Sequence, residues 1–176
     1  MTIQEAAALA EECGFTHAGE MNLQKLAFLP QVRQMCAADK CSRYGNSWSC
    51  PPACGELSEI GEKARGYRHG IIVQSTGKLE DDFDVETMQE TERLQKERFF
   101  AFVEQMRKKE PSCLPMAAGS CTVCESCAYP EPCRFPDKMI ASMEAYGIFV
   151  SKLCEDSGIG YYYGPQTITF TSCVLW

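Results

Sequence analysis

Eight of the chain's twelve cysteines fall into two runs, and their spacing points to metal chemistry. The tighter run reads Cys121-Thr-Val-Cys124-Glu-Ser-Cys127, with Cys133-Arg134-Phe135-Pro136 after it. Three cysteines separated by two residues let a short loop wrap three corners of an iron–sulfur cubane, its backbone amides turned toward the sulfides. A fourth, more distant cysteine completes the set. Zinc usually draws paired cysteines from two separate knuckles, and a triplet fits that poorly.

The triplet is similar to the bacterial ferredoxin run, in which Cys-x2-Cys-x2-Cys precedes a Cys-Pro. It departs from that run because Cys133 follows after five residues and Pro136 comes three later. In two-cluster ferredoxins the fourth cysteine serves the other cluster, and Cys133 is a candidate for that role here. The second run is Cys36, Cys41, Cys50 and Cys54, with Tyr44-Gly45-Asn46-Ser47-Trp48-Ser49-Cys50-Pro51-Pro52 inside it. A radical-enzyme Cys-x3-Cys-x2-Cys would need a cysteine at Leu57, and there is none. Four cysteines in nineteen positions suit a cluster or zinc. The proline-rich loop and Trp48 favour a second cluster, since both suit a water-poor pocket.

Compartment decides between metal and disulfides. Met1 to Cys13 carries glutamates inside its apolar run and lacks the basic start of a signal peptide. No stretch approaches the roughly 18 apolar residues of a membrane span. A cytoplasmic, reducing location is therefore expected, where clustered cysteines read as metal ligands. The formal net charge of −7 argues against a nucleic-acid partner, because phosphate binding needs a basic face. It equally disfavours an anionic membrane surface and favours a neutral or basic partner protein.

The remaining chemistry-bearing residues have structural readings. Cys13, Cys154 and Cys173 fall on expected helix or strand and read as core. Cys113 stands eight residues before Cys121 as a spare ligand candidate. His17 and His69 lack ligand spacing to either run. Arg43 and Arg134 adjoin the runs and could offset thiolate charge, or form loop salt bridges. Tyr44 and Trp48 could shield a cluster or simply pack. Glu144 reads as an acceptor behind the site or a helix charge, not a catalytic group. Gly158-Ile-Gly160 lacks the dinucleotide pattern, and there is neither a Walker loop nor a nucleophile elbow.

The elements that must position the two runs interleave. Thr2 to Glu5 has capping-box spacing for a first helix closed by Gly14. A short strand is expected over 15–21, then a helix opened by Asn22 through Phe28 and interrupted by Pro30. Leu57 to Tyr67 reads as helix and Gly70 to Ser75 as strand. Val85 to Lys109 is a long helix with Phe99, Phe102, Val103 and Met106 on its apolar face. Asp137 to Tyr146 and Ile148 to Asp156 read as helices parted by Gly147, and Tyr161 to Trp176 as strand. With 176 residues the chain is one α/β, mixed α+β domain: a small sheet, flanking helices and two cysteine-rich cluster-binding loops.

Two longer patterns carry a resemblance. One is Cys36-x4-Cys41 with Tyr44-Gly45-x-x-Trp48-x-Cys50-Pro51-Pro52. The other is the triplet with Cys133-Arg134-x-Pro136 and Ser142-Met143-Glu144-Ala145-x-Gly147-Ile148. From about Gly14 onward the chain resembles a family of small cysteine-rich predicted metal-binding proteins, domain of unknown function 2284. The resemblance implies metal binding through the eight cysteines and a place in anaerobic metabolism, and supplies no reaction. The expected function is electron transfer to or from a redox partner protein through two clusters of the [4Fe–4S] type. The alternatives are an iron–sulfur enzyme with one openly coordinated iron, and a zinc-stabilised interaction module.

Overall fold

The first helix forms as its capping signal predicts. The Thr2 hydroxyl accepts from the Glu5 amide at 3.2 Å, and the Glu5 carboxylate takes the Thr2 amide at 2.7 Å, opening α1 (Ile3–Glu12). Gly14 closes it at φ +86°, with its amide on the Glu11 carbonyl and that of Phe15 on Ala10. That pair of bonds is a Schellman end, which asks for the left-handed conformation glycine tolerates. The computed structural model describes all 176 residues.

A four-stranded antiparallel sheet forms the middle layer, in the order β1 (His17–Glu20), β2 (Gly70–Lys78), β4 (Thr167–Leu175), β3 (Leu114–Met116). Ile71 and Ile72 of β2 face Val174 and Cys173 of β4 across the ladder. Because side chains alternate along a strand, the sheet feeds two cores. Ile71, Val73 and Val174 pack with Ala6 and Ala10 of α1 and with Phe99, Phe102, Val103 and Met106 of the long α4 (Val85–Lys109). Ile72, Cys173 and Leu175 turn the other way, toward Met143, Ile148 and α5 (Val150–Asp156). Each fully buried side chain of this size contributes roughly 1.5–3 kcal/mol, so these faces hold the fold. The molecule is one mixed α/β domain with helices flanking a small sheet. No helix is long and apolar enough to cross a membrane.

Three expectations need correction. Asn22 caps only a 3₁₀ turn (Leu23–Lys25), and Pro30 starts α2 (Pro30–Met35) instead of interrupting a helix. Proline has no amide to lose at the first helical position and arrives with a suitable φ. Residues 137–146 are not helical. The Ala117 amide takes the Ala141 carbonyl at 2.9 Å and the Met143 amide takes Ala117 at 3.1 Å, so neighbouring chain answers these backbone groups in place of helix rungs. Gly147, at φ +72°, lets this segment turn against α2, since a Cβ there would stand 2.6 Å from the Leu29 carbonyl oxygen. The short β3, inside what reads as the start of the second cysteine loop, went unrecognised because Pro115 sits at its centre. It survives at the sheet edge, where proline is tolerated.

Candidate metal centre

The two cysteine runs lie in irregular loops that leave the framework and meet. The first loop leaves α2 through a 3₁₀ turn (Cys36–Ala38) and ends at α3 (Leu57–Arg65). Positive φ at Asp39, Ser42 and Gly45 folds it tightly, with the Tyr44 amide on the Asp39 carboxylate at 2.9 Å and the Gly45 amide on the Pro51 carbonyl at 2.9 Å. The second loop follows β3 and returns to the sheet through residues 139–148.

In the second loop, Cys121, Cys124, Cys127 and Cys133 line a single pocket, joined by Ser47, Trp48 and Ser49 from the first loop. Burial pushes the Cys127 thiol upward. The amides of Tyr129, Trp48 and Ala128 and the Ser47 hydroxyl outweigh it, and the thiol lies below its ordinary value. Donors converging on one sulfur are what a thiolate ligand needs. Arg134 donates to the Ser126 carbonyl at 2.8 Å and braces the loop from within.

The first loop has a different character. Burial holds the Cys36, Cys50 and Cys54 thiols above their ordinary value. Neighbouring thiols add to this: Cys50 and Cys41 for Cys36, Cys41 for Cys50, Cys50 and Cys36 for Cys54. The four sulfurs therefore share one electrostatic neighbourhood. Guanidinium charge opposes the rise, from Arg33 at Cys36 and Cys54 and from Arg43 at Cys50. Arg33 is held in place by donating to the Gly55 carbonyl at 2.6 Å. Cys50 is buried and Cys41 is exposed. Glu144 is also exposed, yet the protein packed around its carboxyl pushes its pKa up, and its charge reaches Cys36.

A seam joins the loops. The Trp48 indole donates to the Glu131 carbonyl at 2.8 Å and meets Tyr129 edge-on at 5.1 Å. The Cys121 amide donates to the Ser49 hydroxyl at 3.0 Å, and that oxygen lies 3.8 Å from the Cys50 sulfur.

The structure thus gathers Cys121, Cys124, Cys127 and Cys133 around one pocket and holds Cys36, Cys41, Cys50 and Cys54 as electrostatic neighbours. No three His, Cys, Asp or Glu side chains converge closely enough to share one metal ion. All twelve cysteines are free, with no disulfide among them. Cys113 is buried with the α1–α4 face beside Arg107. Cys154 and Cys173 are fully buried in the opposite core, and Cys13 packs half-buried on the first. His17 stacks on Tyr163 at 3.8 Å and His69 lies against Trp176. Arg33, Ser47 and Ser49 went unnoticed in the sequence. The two serines flank Trp48 directly before Cys50, a signal that was available; Arg33 stands three positions before Cys36 and only the turn at α2 brings it back.

The donor set is thiol-rich, with amide, hydroxyl and guanidinium groups around it, chemistry suited to binding metal. The sequence profile of the family described as predicted metal-binding protein (DUF2284) matches residues 19–176. No curated protein and no solved structure matches the chain.

Proposed function

Because the chain belongs to the DUF2284 family of predicted metal-binding proteins, we propose that it carries two iron–sulfur clusters of the [4Fe–4S] type and transfers single electrons. Cys36, Cys41, Cys50 and Cys54 would hold one, and Cys121, Cys124, Cys127 and Cys133 the other. The observation that carries this reading is the seam: Ser47, Trp48 and Ser49 belong to the first loop and wall the pocket of the second. Two centres sharing a wall suit electron passage between them.

Ligand spacing along the chain favours a cluster over a single zinc, because the Cys121, Cys124 and Cys127 triplet fits the paired knuckles of a tetrahedral zinc site poorly. When bound, a cluster of this kind supplies one-electron redox capacity. The chain's own residues do the rest. Arg33 and Arg43 offset thiolate charge in the first loop, and the Trp48, Ala128 and Tyr129 amides do so in the second. Trp48 and the buried Ser47 and Ser49 keep water from the shared wall. The net charge of −7 suits a basic redox partner in a reducing, anaerobic cytoplasm, by electrostatic steering.

The test is the iron, zinc and acid-labile sulfide content of protein purified without oxygen, with its visible spectrum before and after dithionite. Brown protein with iron and sulfide in equal amounts, bleached by the reductant, is the expected result. Colourless protein, or zinc without sulfide, would defeat the reading.

A further inference from the structure

Between α4 and the second cysteine loop runs an open groove of about 1030 Å³. One side is α4 from Gln89 to Arg107, about 27 Å of helix at 1.5 Å per residue, and Thr122, Val123 and Ile140 stand on the other. On the helix side its middle is apolar, with Phe100 half-buried and Ala101 exposed. Charges near the middle are answered locally: Lys96 by Glu92 at 2.5 Å, Arg93 by Glu90 at 2.7 Å and by Glu97. The ends are not. Glu80, Asp81, Asp82, Asp84 and Glu86 gather where α4 begins, with no cation between Leu79 and Thr91 and no ion pair to any of the five. Phe83 stands among them at 87% exposure and Val85 at 56%. The last turn of α4 is basic. Arg107 donates to the Asp137 carbonyl, Lys108 to the Gln105 side chain, and Lys109 reaches Glu5 only at 4.0 Å.

One helix thus carries unanswered negative charge at one end and spare positive charge at the other, beside a groove that runs between them. We propose that a second copy of this chain closes the groove, with the two α4 helices antiparallel across a two-fold axis. A parallel pair would set like charge on like at both ends. The antiparallel pair sets each acidic end on the other copy's basic end, and it closes because the same patch serves both chains. A basic protein of another kind would answer only the acidic end, whereas a second copy answers both. Phe83 and Val85 then gain a surface to cover them. Val123 lines the cysteine pocket as well as the groove, so the second copy lies over the outer wall of that pocket. The pairing holds whichever metal the cysteines bind.

The experiment is sedimentation velocity on the full chain, purified without oxygen, across a concentration series at low and high salt. The native chain should sediment at twice the mass of one copy and dissociate more readily at high salt, because screening weakens contacts between exposed charges. Asp82→Lys with Glu86→Lys, or Lys108→Glu with Lys109→Glu, should raise the dissociation constant at least about tenfold, since the two-fold repeats each reversal at both ends. All four side chains are exposed, so native-like circular dichroism is expected of both variants. Combining the four substitutions in one chain should restore the dimer, because the two ends have then exchanged sign. A native chain that stays monomeric would overturn the pairing and leave the groove to a different protein. So would a dimer indifferent to salt and to both reversals, or a folded fourfold variant that stays apart.

Discussion

The two cysteine loops solve one electrostatic problem by different means. A set of thiolates is a concentration of negative charge that the protein must offset. The first loop does it with side-chain cations: Arg33 and Arg43 oppose a burial cost that still leaves Cys36, Cys50 and Cys54 above their ordinary value. The second does it with backbone dipoles and a hydroxyl, enough to bring Cys127 below its ordinary value. Guanidinium charge sits on flexible stems and can be deleted one residue at a time. Peptide amides are part of the chain path, so the second site's electrostatics are inseparable from its loop conformation.

The harshest break in this comparison is removal of one ligand set. Cys50→Ala with Cys54→Ala should cost about half the iron and sulfide and leave the second-loop signal, and Cys124→Ala with Cys127→Ala should do the converse. Elemental and sulfide analysis reads this; complete loss from either pair would mean the loops build one shared centre. Next comes the seam. Trp48→Ala removes an indole hydrogen bond and an edge-on aromatic contact, which should cost roughly 2 kcal/mol in denaturant unfolding of the loaded protein. A loss confined to the first loop's metal, with stability unchanged, would show that the loops do not brace each other.

A smaller effect is expected from Arg33→Gln. It removes the cation beside Cys36 and Cys54 and the bond to the Gly55 carbonyl, for roughly 1 kcal/mol, and should weaken metal at the first loop while sparing the second. Acidification should separate the loops as well. Metal competes with protons for sulfur, and a thiol with a raised pKa takes its proton back at a higher pH. The first loop should therefore release iron before the second as pH falls, followed as two steps in anaerobic absorbance. Simultaneous release would contradict the contrast drawn above.

Slightest of all is a trend in the metal-free chain, whose sheet and helices should persist because the apolar faces of α1, α4 and α5 hold them. Burial pushes Cys154 up to about 11, from an ordinary value of 9.0. Below that ordinary value the group costs nothing. Above it the unfolded chain ionises while the folded thiol stays neutral, so stability should decline as pH rises through 9.0 toward about 11. Urea midpoints of metal-free protein across that interval measure it, and Cys154→Ala should flatten the slope.

Much of this molecule was legible in order along the chain. Thr2-x-x-Glu5 set the first cap, the spacing of Phe99, Phe102, Val103 and Met106 set the buried side of α4, and two cysteine runs without regular periodicity set the two loops. These are local signals: a cap, a helical face and a ligand spacing each involve residues a few positions apart, and local sterics and hydrogen bonding suffice to specify them. The tertiary structure alone decided that Pro30 begins a helix, that Ala141 and Met143 exchange backbone bonds with Ala117, and that Ser49 stands between Cys50 and the second loop. Each of those depends on partners far away in sequence, whose positions follow from packing on the sheet, and spacing along the chain carries no record of which distant atoms will meet.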